Sequence, residues 1–208
     1  HIHRILDNDI ADSTWPRVTF DSSTINGSEN ISASIGLSLS KPWPDPVSVR
    51  CKILPSSSAG TSDYSFKDTV ITFSPNVIHR TVTITIADDD LHEAYETVVL
   101  GLENPTNSRL GSIASMTYTI NDNDDAVVSF SVTEKNVIES NIHDSIMVIL
   151  TARNVAPVTV NYSLGTGTTA SSNGVDFTLL GTGTVTFPAL AETAFVYLDI
   201  KDDILGEG

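Results

Sequence analysis

Apolar and polar residues alternate one for one along much of this chain. The clearest stretch is Thr81-Val82-Thr83-Ile84-Thr85-Ile86, where Val82, Ile84 and Ile86 fall on one face and the three threonines on the other. A period of two marks a strand that is buried on one side and wet on the other. Similar runs, bounded by Ser, Asn, Gly and Pro, predict strands over residues 35–40, 47–53, 97–102, 116–120, 145–151 and 158–164. No stretch sustains a helical apolar period. About seven strands in roughly 115 residues is the density of an all-β sandwich of two sheets, immunoglobulin-like and Greek-key in build.

The pattern also recurs. Val18-Thr19-Phe20 returns as Val128-Ser129-Phe130, and Ser28-Glu29 as Ile138-Glu139. Val47-Ser48-Val49 returns as Val158-Thr159-Val160, Asp63-Tyr64 as Asp176-Phe177, and Ile71-Thr72-Phe73 as Val185-Thr186-Phe187. Further on, Asp88-Asp89 with Glu93 matches Asp202-Asp203 with Glu207, and Asp7-Asn8-Asp9 matches Asp122-Asn123-Asp124. Order is kept throughout, so the chain reads as a tandem repeat. Residues 1–9 are expected to be the last strand of a preceding copy, residues 10–124 a complete module, and residues 125–208 a second module that is truncated, lacking its final strands. An open sheet edge and a strip of uncovered core are expected there. One way to close it is for residues 1–9 to pair with the truncated module of a neighbouring molecule.

Composition narrows the chemistry. The chain carries 26 Asp and Glu against 11 Lys and Arg, a formal net charge of -15. This acidity opposes nucleic acid and anionic lipid and favours cations as partners. No apolar run approaches the roughly 18 residues of a membrane helix, so direct membrane insertion is not expected. The first residues lack a Met and an apolar export segment. Cys51 is the single cysteine, which excludes an internal disulfide and a cysteine zinc site and predicts a small buried apolar residue.

The acidic residues cluster where strands are expected to end. Asp88-Asp89-Asp90 with Glu93 and Glu96 follows one strand, and Asp122-Asn123-Asp124-Asp125 follows another. If these ends share a pole, four or more carboxylates converge, and they either raise one another's pKa or recruit a cation. Acidic runs are usually solvated surface, but recurrence at matching positions in two copies argues against that reading here. Calcium suits mixed carboxylate, amide and carbonyl donors better than magnesium, and zinc would ask for more than His92. The EF-hand spacing is missing.

Together, Asp63-Tyr64, Asp88-Asp89 through Glu93 and Glu96, Leu102-Glu103-Asn104-Pro105 and Tyr118 through Asp124 resemble the Calx-beta family, over nearly the whole chain. The resemblance implies a seven-stranded sandwich that binds several calcium ions at one pole, as in sodium/calcium exchanger regulatory domains and in repeats of cell-surface and matrix proteins. It puts the ligands of the first module at Glu29, Asp63, Asp88, Asp89, the Leu91 carbonyl, Glu93, Asp122 and Asp124, with Asn123 where strong binders carry a third Asp. In the second module it implies Glu139, Asp176, Asp202, Asp203 and Glu207, half of a site.

The resulting expectation is a non-enzymatic, calcium-binding structural or adhesion repeat, extracellular or at the cell surface, in which Ca2+ rigidifies the array. Its partners would be calcium ions, neighbouring repeats of the same chain and another cell-surface or matrix protein, with no nucleic acid. The alternative is a calcium-sensing cytoplasmic domain of a membrane transporter. Sequons at Asn26, Asn30 and Asn161 fit export. Cadherin-like repeats share an acidic inter-repeat motif, but their Leu-Asp-Arg-Glu element is absent. Catalysis is not expected: Trp15 and Trp43 lie away from the acidic runs, His79, His92 and His143 read as scattered surface residues, and no hydrolase or phosphate-loop motif occurs.

Overall fold

A computed structural model describes residues 14–140, 142–166, 170 and 175–204. It is all-β, as expected, with no α-helix among the described residues. The strands of the first repeat are β1 (Arg17–Phe20), β2 (Thr24–Ser28), β3 (Ala33–Leu39), β4 (Val47–Ile53), β5 (Tyr64–Ser65), β6 (Thr69–Phe73), β7 (His79–Ile86), β8 (Leu91–His92), β9 (Glu96–Thr106), β10 (Arg109–Leu110) and β11 (Ser115–Asn121). Those that follow are β12 (Val128–Phe130), β13 (His143–Leu150), β14 (Arg153–Asn154), β15 (Val158–Asn161), β16 (Phe177–Leu180), β17 (Thr184–Phe187) and β18 (Thr193–Ile200). The chain forms two compact units, one from His1–Asp89 with Ala94–Asn123 and one from Asp90–Glu93 with Asp124–Gly208.

The first unit is a sandwich of two five-stranded sheets, ordered β10-β1-β3-β7-β5 and β2-β11-β9-β4-β6. Its core is built as the alternation predicts. In β7, Ile84 and Ile86 are buried, Val82 is half-buried, and Thr81, Thr83 and Thr85 are exposed. Phe20, Ile35, Leu37, Phe73, Ile84 and Leu100 are all but inaccessible; each such side chain stabilises the fold by about 1.5–3 kcal/mol relative to exposure. Cys51 belongs to this core, and burial pushes its thiol pKa up to about 12.

One detail of this unit differs from the sequence reading, for a local reason. The strand expected to stop at Leu102 runs on to Thr106. Its pairing with β4 shifts register between Ser48 and Arg50, and Asn104 takes a left-handed φ of 50°. The Asn104-Pro105 step is thus absorbed as a bulge rather than ending the strand. At the start of the unit, β1 and β2 lie in opposite sheets, and β2 pairs with β11 in parallel from Thr24–Thr117 to Ser28–Asn121. Gly27 permits this pairing, because a Cβ there would collide with the Tyr118 hydroxyl.

The second unit repeats the registers of the first. Val18 opposite Leu39 in β1 and β3 becomes Val128 opposite Leu150 in β12 and β13. Val47 opposite Phe73 in β4 and β6 becomes Val158 opposite Phe187 in β15 and β17. Tyr64 opposite Ile86 becomes Phe177 opposite Ile200. Its larger sheet runs β12-β13-β18-β16, and the facing pair is β15-β17. The unit also takes in Asp90–Glu93, whose β8 pairs in parallel with β14. The strand expected over 158–164 ends at Asn161, where its pairing with β17 closes at Asn161–Thr184. Residues 1–9, read as a strand of an earlier copy, lie outside the described residues.

Candidate metal centre

Several strands of the first unit end or begin at one pole. Glu29 N–H donates to the Asn121 carbonyl at 3.1 Å, carrying the β2–β11 pairing one step past both strands. Ala87 N–H donates to the Asp63 carbonyl at 2.8 Å, just beyond the Tyr64–Ile86 pair. The ends of β2, β7 and β11 and the start of β5 are thereby fixed by backbone hydrogen bonds, and each is followed or preceded by a carboxylate.

Two groups of three carboxylates result. Glu29, Asp89 and Asp124 each offer an oxygen, and these oxygens lie within 4.8 Å of one another; the same holds for Asp63, Glu93 and Glu96. Glu29 is only 7% exposed. Asp124 Oδ2 is buried and accepts no hydrogen bond. A buried carboxylate oxygen without a donor is costly unless something positive meets it. At Asp63, burial disfavours the charge, but hydrogen bonds with Glu96, Ser62 and the Gly60 N–H outweigh it and hold the pKa below the usual value. The donors are all oxygen, in numbers and flexibility that fit calcium rather than zinc or copper.

The remaining expected ligands of this module are placed differently. Asn123 accepts from Ser28 Oγ at 3.0 Å and donates to Asp88 Oδ1 at 3.4 Å, so its amide bridges Ser28 and Asp88. Asp88 is exposed, Asp122 and Leu91 are half-buried, and none of these three belongs to a three-carboxylate group. Glu96 does belong to one, although the sequence reading kept it in the motif without naming it as a ligand. His92 corrects the reading of a surface histidine: it is half-buried, and its Nδ1 lies 2.7 Å from the Asp124 carbonyl, which can only accept, so Nδ1 carries the proton. His79 and His143 are exposed as expected, on Ser38 and Asp199 respectively.

The corresponding pole of the second unit is sparser. Glu139 and Asp176 are half-buried and line a cleft of about 450 Å³ together with Lys135. Lys135 Nζ donates to Asp144 Oδ1 and to the Ser145 carbonyl, both at 2.6 Å. That hydrogen bond lowers the Asp144 pKa. Asp202 and Asp203 are exposed, and Glu207 lies outside the described residues. No group of three carboxylates forms among the described residues of this unit alone.

A repeated antiparallel sandwich with carboxylates gathered at a strand-end pole defines a class of tandem β-module. The chain belongs to the Calx-beta domain family, whose model matches residues 12–124 and again residues 121–208. Among solved structures, the chain is similar to the calcium binding domain CBD12 of CALX1.1, at 17% identity and a TM-score of 0.51, over 87% of this chain and 74% of that one. CBD12 of CALX1.2 is similar at 19% identity and a TM-score of 0.50, over 91% and 76%. The apo form of the Calx CBD1 domain is similar at 21% identity and a TM-score of 0.50, over 53% of this chain and 99% of that one. A comparison with curated proteins finds no match.

Proposed function

We propose that this chain is a calcium-binding structural repeat whose first module carries the competent site. The observation that carries the reading is the meeting of Glu29, Asp89 and Asp124 oxygens within 4.8 Å, with Glu29 buried and Asp124 Oδ2 without a donor. Glu29, Asp63, Asp89, Glu93, Glu96 and Asp124 hold the ions, and Asp88, Asp122 and the Leu91 carbonyl extend the donor set. Bound calcium offsets the repulsion among these groups and stiffens the short connection at Asp125–Val127. The chain acts by binding, without catalysis. Exposure of Asn26, Asn30 and Asn161 supports a place outside the cell or at its surface.

The second reading is a calcium-sensing regulatory domain, favoured by the similarity to tandem domains described as calcium binding. Titration calorimetry on the calcium-stripped chain, with melting followed in calcium and in chelator, tests the common part of both readings. Heat of binding and a raised melting temperature are expected, and both are lost in Asp89→Asn. No heat and an unchanged melting temperature would discard both.

A further inference from the structure

The outer face of one sheet sets the second unit apart from the first. The β3–β7 and β13–β18 pairs share a register, so their outward positions can be matched one by one. In the first unit, Gly36 lies opposite Thr81 and Ser34 opposite Thr83, and none of these four carries an apolar side chain. Both threonines are exposed, so the first unit leaves this face to water. In the second, the matching pairs are Met147 opposite Phe195 and Ser145 opposite Tyr197, and Leu180 of β16 lies on the other side of Tyr197. Met147, Phe195, Tyr197 and Leu180 are 37%, 43%, 54% and 40% exposed. The alternating residues Val148, Ala194 and Val196 are buried, so the exposed four belong to the outward side of the pleat and are not core residues left uncovered.

Apolar side chains scattered singly over a surface need no explanation, but four in adjacent cross-strand positions form a patch. The patch exposes roughly 350 Å² of side chain, whereas a stable protein interface takes about 800 Å² from each partner, so a second copy would find too little to hold. Its flank carries one acid, Asp199, whose Oδ1 lies 2.6 Å from His143 Nδ1, so a strongly charged partner has little to pair with there. The other border groups are hydroxyls, Ser145 opposite Tyr197 and Thr178 opposite Asp199. The rings of Phe195 and Tyr197 stand side by side along β18, with centroids 6.2 Å apart and planes tilted by 34°.

We propose that this face is a glycan-binding site, and that its ligand is a neutral, extended chain of pyranose sugars joined by equatorial linkages. The C–H groups on the flat side of such a sugar pack on an aromatic ring, whose face carries partial negative charge. The hydroxyls at the sugar's edge need donors and acceptors, which Ser145, Thr178, His143 and Asp199 supply. Equatorial linkage keeps the chain as flat as the sheet beneath it, whereas axial linkage coils the chain away. Phe195 and Tyr197 each take one of two consecutive sugar rings, and Met147 and Leu180 fill the flanks. The site needs no cation, so it works independently of the acidic pole of the first unit.

The test uses the whole 208-residue chain in chelator, with the β-linked glucose hexamer cellohexaose as probe and its α-linked isomer maltohexaose as control. Ring signals of Phe195 and Tyr197 and the Met147 methyl are followed by NMR. Saturable shifts at these three are expected with cellohexaose, at an affinity at least about tenfold above that for maltohexaose. Phe195→Thr with Tyr197→Thr installs the first unit's residues at no loss of strand propensity. It should weaken binding by at least about tenfold while amide exchange in β13 and β18 stays unchanged. Tyr197→Trp keeps a ring in place and should retain binding. No saturable shift with cellohexaose, equal binding of maltohexaose, undiminished binding by the double variant or loss of binding in Tyr197→Trp would each overturn the proposal. So would concentration-dependent shifts at these residues without sugar in a chain that sediments as a dimer, since the face would then belong to a second copy.

Discussion

The two units share a register plan and differ, among the described residues, in how far their strands are covered. Among the described residues, nineteen side chains form a buried core between two five-stranded sheets in the first, and six form one between a four-stranded sheet and a strand pair in the second. The pairings are the same where both exist, so the difference does not lie in how strands recognise each other. It lies in whether the facing sheet is wide enough to cover them. Val158 and Val160 are as well chosen as Val47 and Val49, yet the first pair is half-buried and the second fully buried. Patterning sets pairing, and coverage sets burial.

That comparison can be broken most forcefully at its aromatic counterparts. Phe20→Ala should cost the first unit about 3–5 kcal/mol, while Phe130→Ala should cost the second well under about 1 kcal/mol, because one ring is buried and the other already meets water. Trp15 and Trp43 both belong to the first unit. Denaturant unfolding by tryptophan fluorescence therefore reads the first unit, and native-state amide exchange at His143–Leu150 reads the second; near-equal losses for the two variants, each in its own unit, would refute the contrast. Next in size, Asp89→Asn should abolish the calcium-dependent rise in melting temperature, a loss of about 2.7 kcal/mol at a calcium concentration near a hundredfold Kd. Asp203→Asn should leave that rise unchanged, as scanning calorimetry with and without chelator will read.

A smaller effect sharpens what makes the first unit's facing sheet close. Gly27→Ala should destabilise it by about 1–3 kcal/mol through the collision with the Tyr118 hydroxyl, and adding Tyr118→Phe should recover much of the loss. The smallest effect belongs to the Lys135–Asp144 pair of the second unit. Its folded carboxyl has a lowered pKa, so the pair's contribution is full above the unfolded value near 3.8 and fades as pH falls through the folded one. Lys135→Met should remove under about 1 kcal/mol near neutral pH and flatten the acid limb of the stability profile, measured by denaturation between about pH 2 and 6.

Much of this was legible in the sequence. The alternation in Thr81–Ile86 placed the core face of β7 correctly, and the recurrence of Val47-Ser48-Val49 and Ile71-Thr72-Phe73 anticipated matched registers in both units. Cys51 read as a buried apolar residue, and it is one. What escaped was set by tertiary pairing. Asn104-Pro105 looks like a terminator, and only the register shift against β4 reveals a bulge. The division of the pole into two carboxylate groups was equally hidden, since spacing brings Asp88, Asp89 and Asp90 together but cannot say which of them points at Glu29. Glu96 had a visible signal, the last acidic position of its motif. His92 had none, because its partner is a backbone carbonyl.

The parallel pairing of β2 with β11 has a mechanical consequence. In parallel neighbours, the leading end of one strand and the trailing end of the other lie at opposite ends of the pair. A force that draws the two ends of the first unit apart loads Thr24–Ser28 against Thr117–Asn121 in shear, so the hydrogen bonds of five residue pairs share the load and fail together. The β1–β10 pair is parallel as well and is strained in the same sense. An antiparallel pair pulled from neighbouring ends would instead unzip one rung at a time. Stretched in a molecular chain, this unit would behave as a stiff link with a high breaking force, set by its unfolding barrier rather than by its equilibrium stability.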